Sequence, residues 1–197
     1  MNLTAIEDED DIEKLHFLDS LALLDLADFK NKKVIDIGTG AGFPGLALKI
    51  EEPSINLTLL DSLDKRLTFL KDTCNKLSID DVEIVHQRAE EISSSQREAY
   101  DIATSRAVAR LSVLAELCLP YVRVGGYFIA MKGPDFDEEL ENAKAAIKLL
   151  GGKCERCETY IIPGTDIKHS AIIIKKLEET DRKYPRKWAQ IKKGELK

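Results

Sequence analysis

No apolar run in this 197-residue chain approaches the roughly 18 residues that a membrane-crossing helix needs. The opening MNLTAIEDEDDIEKL is acidic, where a secretory signal would be basic and then apolar. These two absences make a cytoplasmic protein without a membrane partner the expectation. Cysteine is scarce: Cys74, Cys118, Cys154 and Cys157 are too few to staple a chain of this length. Cys154 and Cys157 have the C-x-x-C spacing, but no second pair completes a zinc site. They also fall in a segment that reads as a strand, in which positions i and i+3 face opposite sides. No metal site is expected, and the spacing is read as coincidence. No G-x-x-x-x-G-K-[ST] occurs, which excludes a P-loop.

What is present is ordinary for a globular protein: 44% hydrophobic and 32% charged residues, enough for one sizeable core. The net charge of −6 argues against a general nucleic-acid binder, yet it is unevenly spread. Residues 181–197 hold seven Lys/Arg against two acids, a local +5 that leaves −11 on the remainder. With Tyr184 and Trp188 inside it, such a tail could hold a phosphate backbone and stack a base. For a terminal charge run alone, a frayed and solvated end is the better reading.

Ile12, Leu15, Leu18, Ala22 and Leu26 recur at helical spacing and predict an amphipathic helix over 11–27. Strands then alternate with helices. The strands are predicted at 34–37, 56–61, 82–87, 101–105 and 127–132, the last entered through a Gly125-Gly126 turn. Pro44 stands in the first turn of one helix. Ser62 is the predicted cap of a second, whose Leu63, Leu67, Leu70, Cys74 and Leu77 share a face. Further helices are expected over 108–119 and 135–150, and two closing β segments, 154–162 and 169–176, form a hairpin. Five such alternations specify a mostly parallel, doubly wound Rossmann-like α/β sheet, with an antiparallel hairpin at one edge.

In such sheets ligands bind beyond the carboxyl ends of the strands. This sequence places Asp36 and a glycine loop, Asp61, 86-HQRAE-90, Ser105-Arg106 and Lys132-Gly133 there. In VIDIGTGAGFPG (34–45) the glycines Gly38, Gly40 and Gly42 alternate, while the sixth position from Gly38 is Phe43, where a dinucleotide loop carries its third glycine. The backbone can approach a ligand closely there, and the helix that follows can receive an anion at its start. Asp61, 23 residues beyond Gly38, suits a ribose diol. The pattern D-x-G-x-G-x-G with a second acid leans toward S-adenosyl-L-methionine over a nicotinamide dinucleotide. No nucleophile–base pair stands out, and no catalytic residue is assigned.

NLTAI (2–6), HFLDSL (16–21), VIDIGTGAGFPG (34–45), LLDSLDKRLTFL (59–70), RAEE (88–91), TSRAVA (104–109), MKG (131–133) and KHSAIIIKK (168–176) occur in this order. Together they resemble the RsmG family, formerly called glucose-inhibited division protein B: bacterial 16S rRNA guanine-N7 methyltransferases that use S-adenosyl-L-methionine. The resemblance implies a class I methyltransferase domain over 31–180, an N-terminal helical segment over 1–30 and a basic tail over 181–197. It implies that the cofactor rests against Gly38 and Phe43 with Gly40 and Gly42 beneath it. Asp61 would hold the ribose, Ala89 and Glu90 would flank the adenine, and Arg106 would stand beside the site. Family members usually carry further helical residues before NLTAI, and the segment after YPR here lacks their usual Gly- and Pro-containing end.

The expected partner is 16S rRNA or a small ribosomal subunit particle, met by a monomer. His16, Lys132, Arg182, Lys183, Arg186 and Lys187 are the candidate substrate contacts, while His169 reads as structural. The rival readings are a methyltransferase of the same fold acting on a small molecule or protein, a cofactor-binding module without rRNA activity, and an NAD-dependent enzyme.

Overall fold

The computed structural model describes residues 8–106 and 109–196. The NLTAI motif, Ala107 and Val108 at the predicted start of the 108–119 helix, and Lys197 lie outside the described residues. Seven strands form one sheet: β1 (Lys33–Ile37), β2 (Asn56–Asp61), β3 (Val82–His86), β4 (Tyr100–Arg106), β5 (Val122–Lys132), β6 (Gly152–Ile161) and β7 (Lys168–Lys176). Their order is β3-β2-β1-β4-β5-β7-β6, with the first five parallel and β7 antiparallel to both its neighbours. The order reverses between β1 and β4, the switch point beside which open α/β sheets bind ligands. Within the closing hairpin the later strand is the inner one. Composition explains this: Ala171 to Ile174 in β7 are all buried, whereas β6 alternates charged and half-buried residues.

Alternation along the strands makes two cores. Val34, Leu57, Leu59, Ile102 and Ile129 face one side, covered by α1 (Gly45–Glu51), α2 (Asp64–Leu77) and Leu23 of the N-terminal segment. Ile35, Ile37, Leu60, Ala103 and Phe128 face the other, under α3 (Leu111–Cys118) and α4 (Asp137–Leu149). The N-terminal segment is helical from Glu9 to Leu26 in short pieces, with a π-helical stretch at Glu13–Leu18. None of the described helices is long and apolar enough to cross a membrane.

Several local expectations change. Ser62 does not cap α2: Leu63 takes the cap position without a side-chain bond, and its N–H instead donates to Asp61 Oδ1 at 2.9 Å. Gly125-Gly126 do not precede β5 but lie within it. Gly125 takes φ +86°, and Gly126 passes so close to β4 that an added Cβ would stand 2.4 Å from the Asp101 carbonyl oxygen. Cys154 and Cys157 do not face opposite sides, because one extra residue interrupts β6. Cys154 pairs with Ile174 and Arg156 with Ile173, a bulge that resets the alternation.

The segment after β7 is folded down rather than frayed. Lys176 is fully buried and donates to the Leu119 carbonyl and Thr180 Oγ1, while Arg186 meets both oxygens of the buried Glu116 at 2.8 Å. Tyr184 is buried in the α3 side of the core, so it cannot stack a base; Trp188, in the short helix α5 (Trp188–Ile191), remains half-exposed.

Gly126→Ala tests the β4–β5 approach. Forcing a methyl group against a backbone oxygen is expected to cost about 1–3 kcal/mol, read as a lower urea midpoint; an unchanged midpoint would show that the strands have room to separate.

Candidate active site

The loop after β1 is shaped by a carboxylate that water does not reach. Asp36 ends the apolar run of β1 and is fully buried. Its Oδ2 accepts hydrogen bonds from Thr39 Oγ1 at 2.7 Å and the Gly45 N–H at 3.0 Å, and its Oδ1 from Thr104 Oγ1 at 3.3 Å. The start of α1 does receive an anion, and that anion is the chain's own Asp36. Gly45 must lack a side chain for this, since a Cβ would stand 2.8 Å from that of Asp36. Burial pushes the Asp36 carboxyl up to about 6, against the opposing pull of its three donors and Arg106.

Gly38, Gly40 and Gly42 all have positive φ, at 72°, 59° and 99°, a region that side chains disfavour. At Gly42 an added Cβ would press on Leu70 and Leu46, but at Gly40 it would meet only the Gly38 carbonyl oxygen, 3.9 Å away. The peptide at Gly40 is therefore open on one face, which fits a ligand lying along the loop. The Gly40 N–H donates to Asp61 Oδ2 at 3.0 Å, locking the loop to the end of β2. Asp61 is buried and also accepts from Arg66 Nη1 at 3.2 Å. Glu90 and Ala89 follow β3 in a short turn. Glu90 pairs with Arg88, whose guanidinium lies 5.2 Å over the Trp188 ring, and the Ala89 carbonyl accepts from Tyr121 at 2.9 Å.

Across the cleft stands another buried carboxylate, Asp19, from the N-terminal segment. Its Oδ1 accepts from the Tyr160 hydroxyl at 2.8 Å and lies 2.9 Å from His169 Nδ1, while Oδ2 lies 3.3 Å from Arg106 Nη1. This cluster sets Arg106 over Phe43, with its guanidinium carbon 5.2 Å from the ring centroid. His16 stacks on the same ring at 5.2 Å, and Phe17 meets it edge-on at 4.8 Å. His16 Nδ1 lies 3.1 Å from both Arg106 Nη2 and the Leu15 carbonyl. Its Nε2 is buried and has no hydrogen-bond partner among the described residues. Burial, and then the Arg106 charge, hold the His16 pKa below its ordinary value. His16, Phe43 and Arg106 are thus in mutual contact, and the loop glycines and Asp61 are joined beside them.

The remaining predicted residues are placed less openly. Lys132 donates to the Ala109 carbonyl at 2.6 Å and to Glu139 at 2.8 Å, tying the end of β5 to the start of α3. Arg186 is engaged by Glu116, and Lys183 pairs with Asp181 at 3.1 Å on the surface. Lys187 caps α5, and Arg182 is exposed beside Tyr184 and Pro185. Asp36 was expected at the ligand end of its strand but without a role, whereas Gly45, Thr104, Asp19 and Tyr160 were not among the predicted site residues. Asp36 and Gly45 bracket the quoted glycine motif, and Asp19 sits in HFLDSL, so their positions carried a signal. Thr104 opens TSRAVA, whereas nothing local marks Tyr160.

Strand order, loop and closing hairpin define a Rossmann-like methyltransferase fold. Solved structures agree: TYW2 from M. jannaschii in complex with AdoMet matches with a TM-score of 0.67 at 10% identity, covering 88% of this chain and 80% of that one. TrmN from Thermus thermophilus matches at 0.63 and 18%, covering 80% and 48%. A family model described as GidB, rRNA small subunit methyltransferase G, matches residues 1–164. Proteins named ribosomal RNA small subunit methyltransferase G are 52% identical in Alkaliphilus oremlandii, over 100% of this chain and 84% of theirs, and 50% identical in Clostridium novyi, over 95% and 78%. The chain belongs to the GidB family of methyltransferases.

The buried Asp36 gives this site a signature in pH. Its folded pKa, raised from 3.8 to about 6, means that the folded chain holds the proton more tightly than the unfolded one. That contribution is full below the unfolded value and is lost as pH rises through the folded one, by roughly 3 kcal/mol at most. Asp36→Asn removes the titration. The wild-type urea midpoint minus that of the variant should fall from about pH 4 to 6 and then level; a flat difference would contradict the assignment.

Proposed function

We propose that this chain transfers a methyl group from S-adenosyl-L-methionine to N7 of a guanine in the decoding-region loop of 16S rRNA, presented as free RNA or in a small-subunit particle. The observation that carries the reading is the open glycine cradle locked to Asp61, in a chain of this family. Bound there, the cofactor supplies an electrophilic methyl group on sulfur. Gly38, Gly40, Gly42 and Phe43 would support it, Asp61 would take the ribose hydroxyls in place of Arg66, and Ala89 and Glu90 would border the adenine. The domain reading is an N-terminal segment over 1–30, a methyltransferase domain over 31–180 and a basic tail over 181–197, acting in the cytoplasm as a monomer.

Guanine N7 carries a lone pair and no proton, so the chain needs no general base, and its task is to align nucleophile and methyl group. The arrangement beside Phe43 suits that task. Arg106 and His16 are both held against the Phe43 ring, so the three side chains form one wall beside the glycine loop. His16 is the substrate contact that this wall would bring to the base. N7 lies on the edge not used in Watson–Crick pairing, so a base splayed from a loop can present it. Of the predicted cations, Arg182, Lys183 and Lys187 are the ones left on the surface for a phosphate backbone, whereas Lys132 and Arg186 hold the fold around the cleft.

Methyl transfer to unmodified small-subunit RNA or particles, with product guanines located by N7-specific strand cleavage, tests the whole reading. Transfer to free metabolites and none to rRNA would overturn it. Calorimetry tests the roles. On variants with wild-type circular dichroism, Arg106→Ala should weaken S-adenosyl-L-methionine binding at least about tenfold, ~1.4 kcal/mol. Lys132→Ala should weaken it less, and the opposite ranking would contradict the site as drawn.

A further inference from the structure

The C-x-x-C pair has no place in methyl transfer, and the bulge in β6 gives it a geometry that a regular strand would not. In an unbroken strand Cys154 and Cys157 would stand on opposite faces. The extra residue at Glu155 brings both onto the α4 side of the sheet, where both pack against the same core. Their sulfurs are 3.6 Å apart, against ~2.05 Å in a disulfide. The other two thiols, Cys74 and Cys118, are buried in α2 and α3.

The two members of the pair are not equivalent. Cys154 lines a surface cleft of about 510 Å³ together with Lys144, Lys148 and Lys153, which outnumber the one acid there, Glu178. Cys157 lies outside that lining, and burial, then the neighbouring Cys154, push its thiol up to about 12. Both cysteines are half-buried, with Cys154 at the cleft wall beside the lysines and Cys157 next to it.

The geometry points to a modification site: Cys154 and Cys157 close into an intrachain disulfide on reaction with a small, carboxylate-bearing disulfide drawn to the lysine-lined cleft. The Cys154 thiolate attacks one sulfur of R–S–S–R. That bond breaks, R–S⁻ leaves and takes up the proton that Cys154 lost, and a mixed disulfide remains. Cys157 then loses its proton, and its sulfur displaces the second R–S⁻, which is protonated in turn. Two protein thiols are oxidised, and the reagent is reduced to two thiols. An external dithiol reverses the exchange. The site is independent of the methyl-transfer reading.

The test uses the full chain and oxidised glutathione, followed by intact mass and peptide mapping. The wild type should become lighter by two hydrogens, with a Cys154–Cys157 cross-link, no retained adduct, and full recovery in dithiothreitol. Cys157→Ser should trap one glutathione on Cys154, and Cys154→Ser should leave Cys157 unmodified. A wild type that stays reduced in excess reagent, that carries separate adducts on both cysteines, or that cross-links through Cys74 or Cys118 would overturn the proposal. If a single variant loses its circular dichroism spectrum, the wild-type map alone decides.

Discussion

The cleft is organised around a negative charge that the fold keeps from water. A buried carboxylate is costly unless donors surround it. Asp36 draws its donors from three places: the glycine loop through Thr39, the start of α1 through Gly45, and the neighbouring strand β4 through Thr104. The same contact fixes the turn, the entry angle of the helix and the spacing of the two strands at the switch point. The residues between Asp36 and Gly45 follow from it. The chain must reverse within one loop, so three glycines adopt positive φ, and a fourth makes room for the carboxylate it binds.

Asp19 performs the corresponding task from the opposite side. It joins the N-terminal segment to the end of β4 through Arg106, to β6 through Tyr160 and to β7 through His169. With Arg106 held, Phe43 and His16 are held too. Glu116 is a further buried acid, and its partner Arg186 comes from the segment after the sheet. The positive excess of that segment is thus partly consumed in closing the fold, which is why net charge by stretch overstated what is free to meet a polyanion.

The parallel sheet was legible because its inner strands are apolar runs, buried on both faces, and because polar residues cluster at one end of the strands. The glycine loop was legible because positive φ and close approach both demand glycine. What escaped detection depends on distance along the chain. Nothing near Tyr160 indicates that its hydroxyl meets Asp19, which is 141 positions away. Tyr184 stands among cations in a tail that read as frayed or, at most, base-stacking, yet its ring serves the core. Ser62 lost the cap position to Leu63, whose N–H the Asp61 carboxylate at the end of β2 holds. The bulge left no compositional trace, since one inserted residue changes which way side chains point without changing what they are.

That bulge sits on an outer strand of the sheet, where unpaired N–H and C=O groups would otherwise offer a template to another chain. It breaks the regular spacing of those groups midway along β6. Around it the exposed side chains carry alternating charge: Arg156 lies between Glu155 and Glu158 and within 3.4 Å of both, and Glu155 also reaches Lys175 at 3.7 Å. A strand arriving from a second molecule would find neither a straight row of hydrogen bonds nor an apolar face to cover. The interruption that pairs two thiols also leaves this border of the sheet poorly suited to growing by another strand.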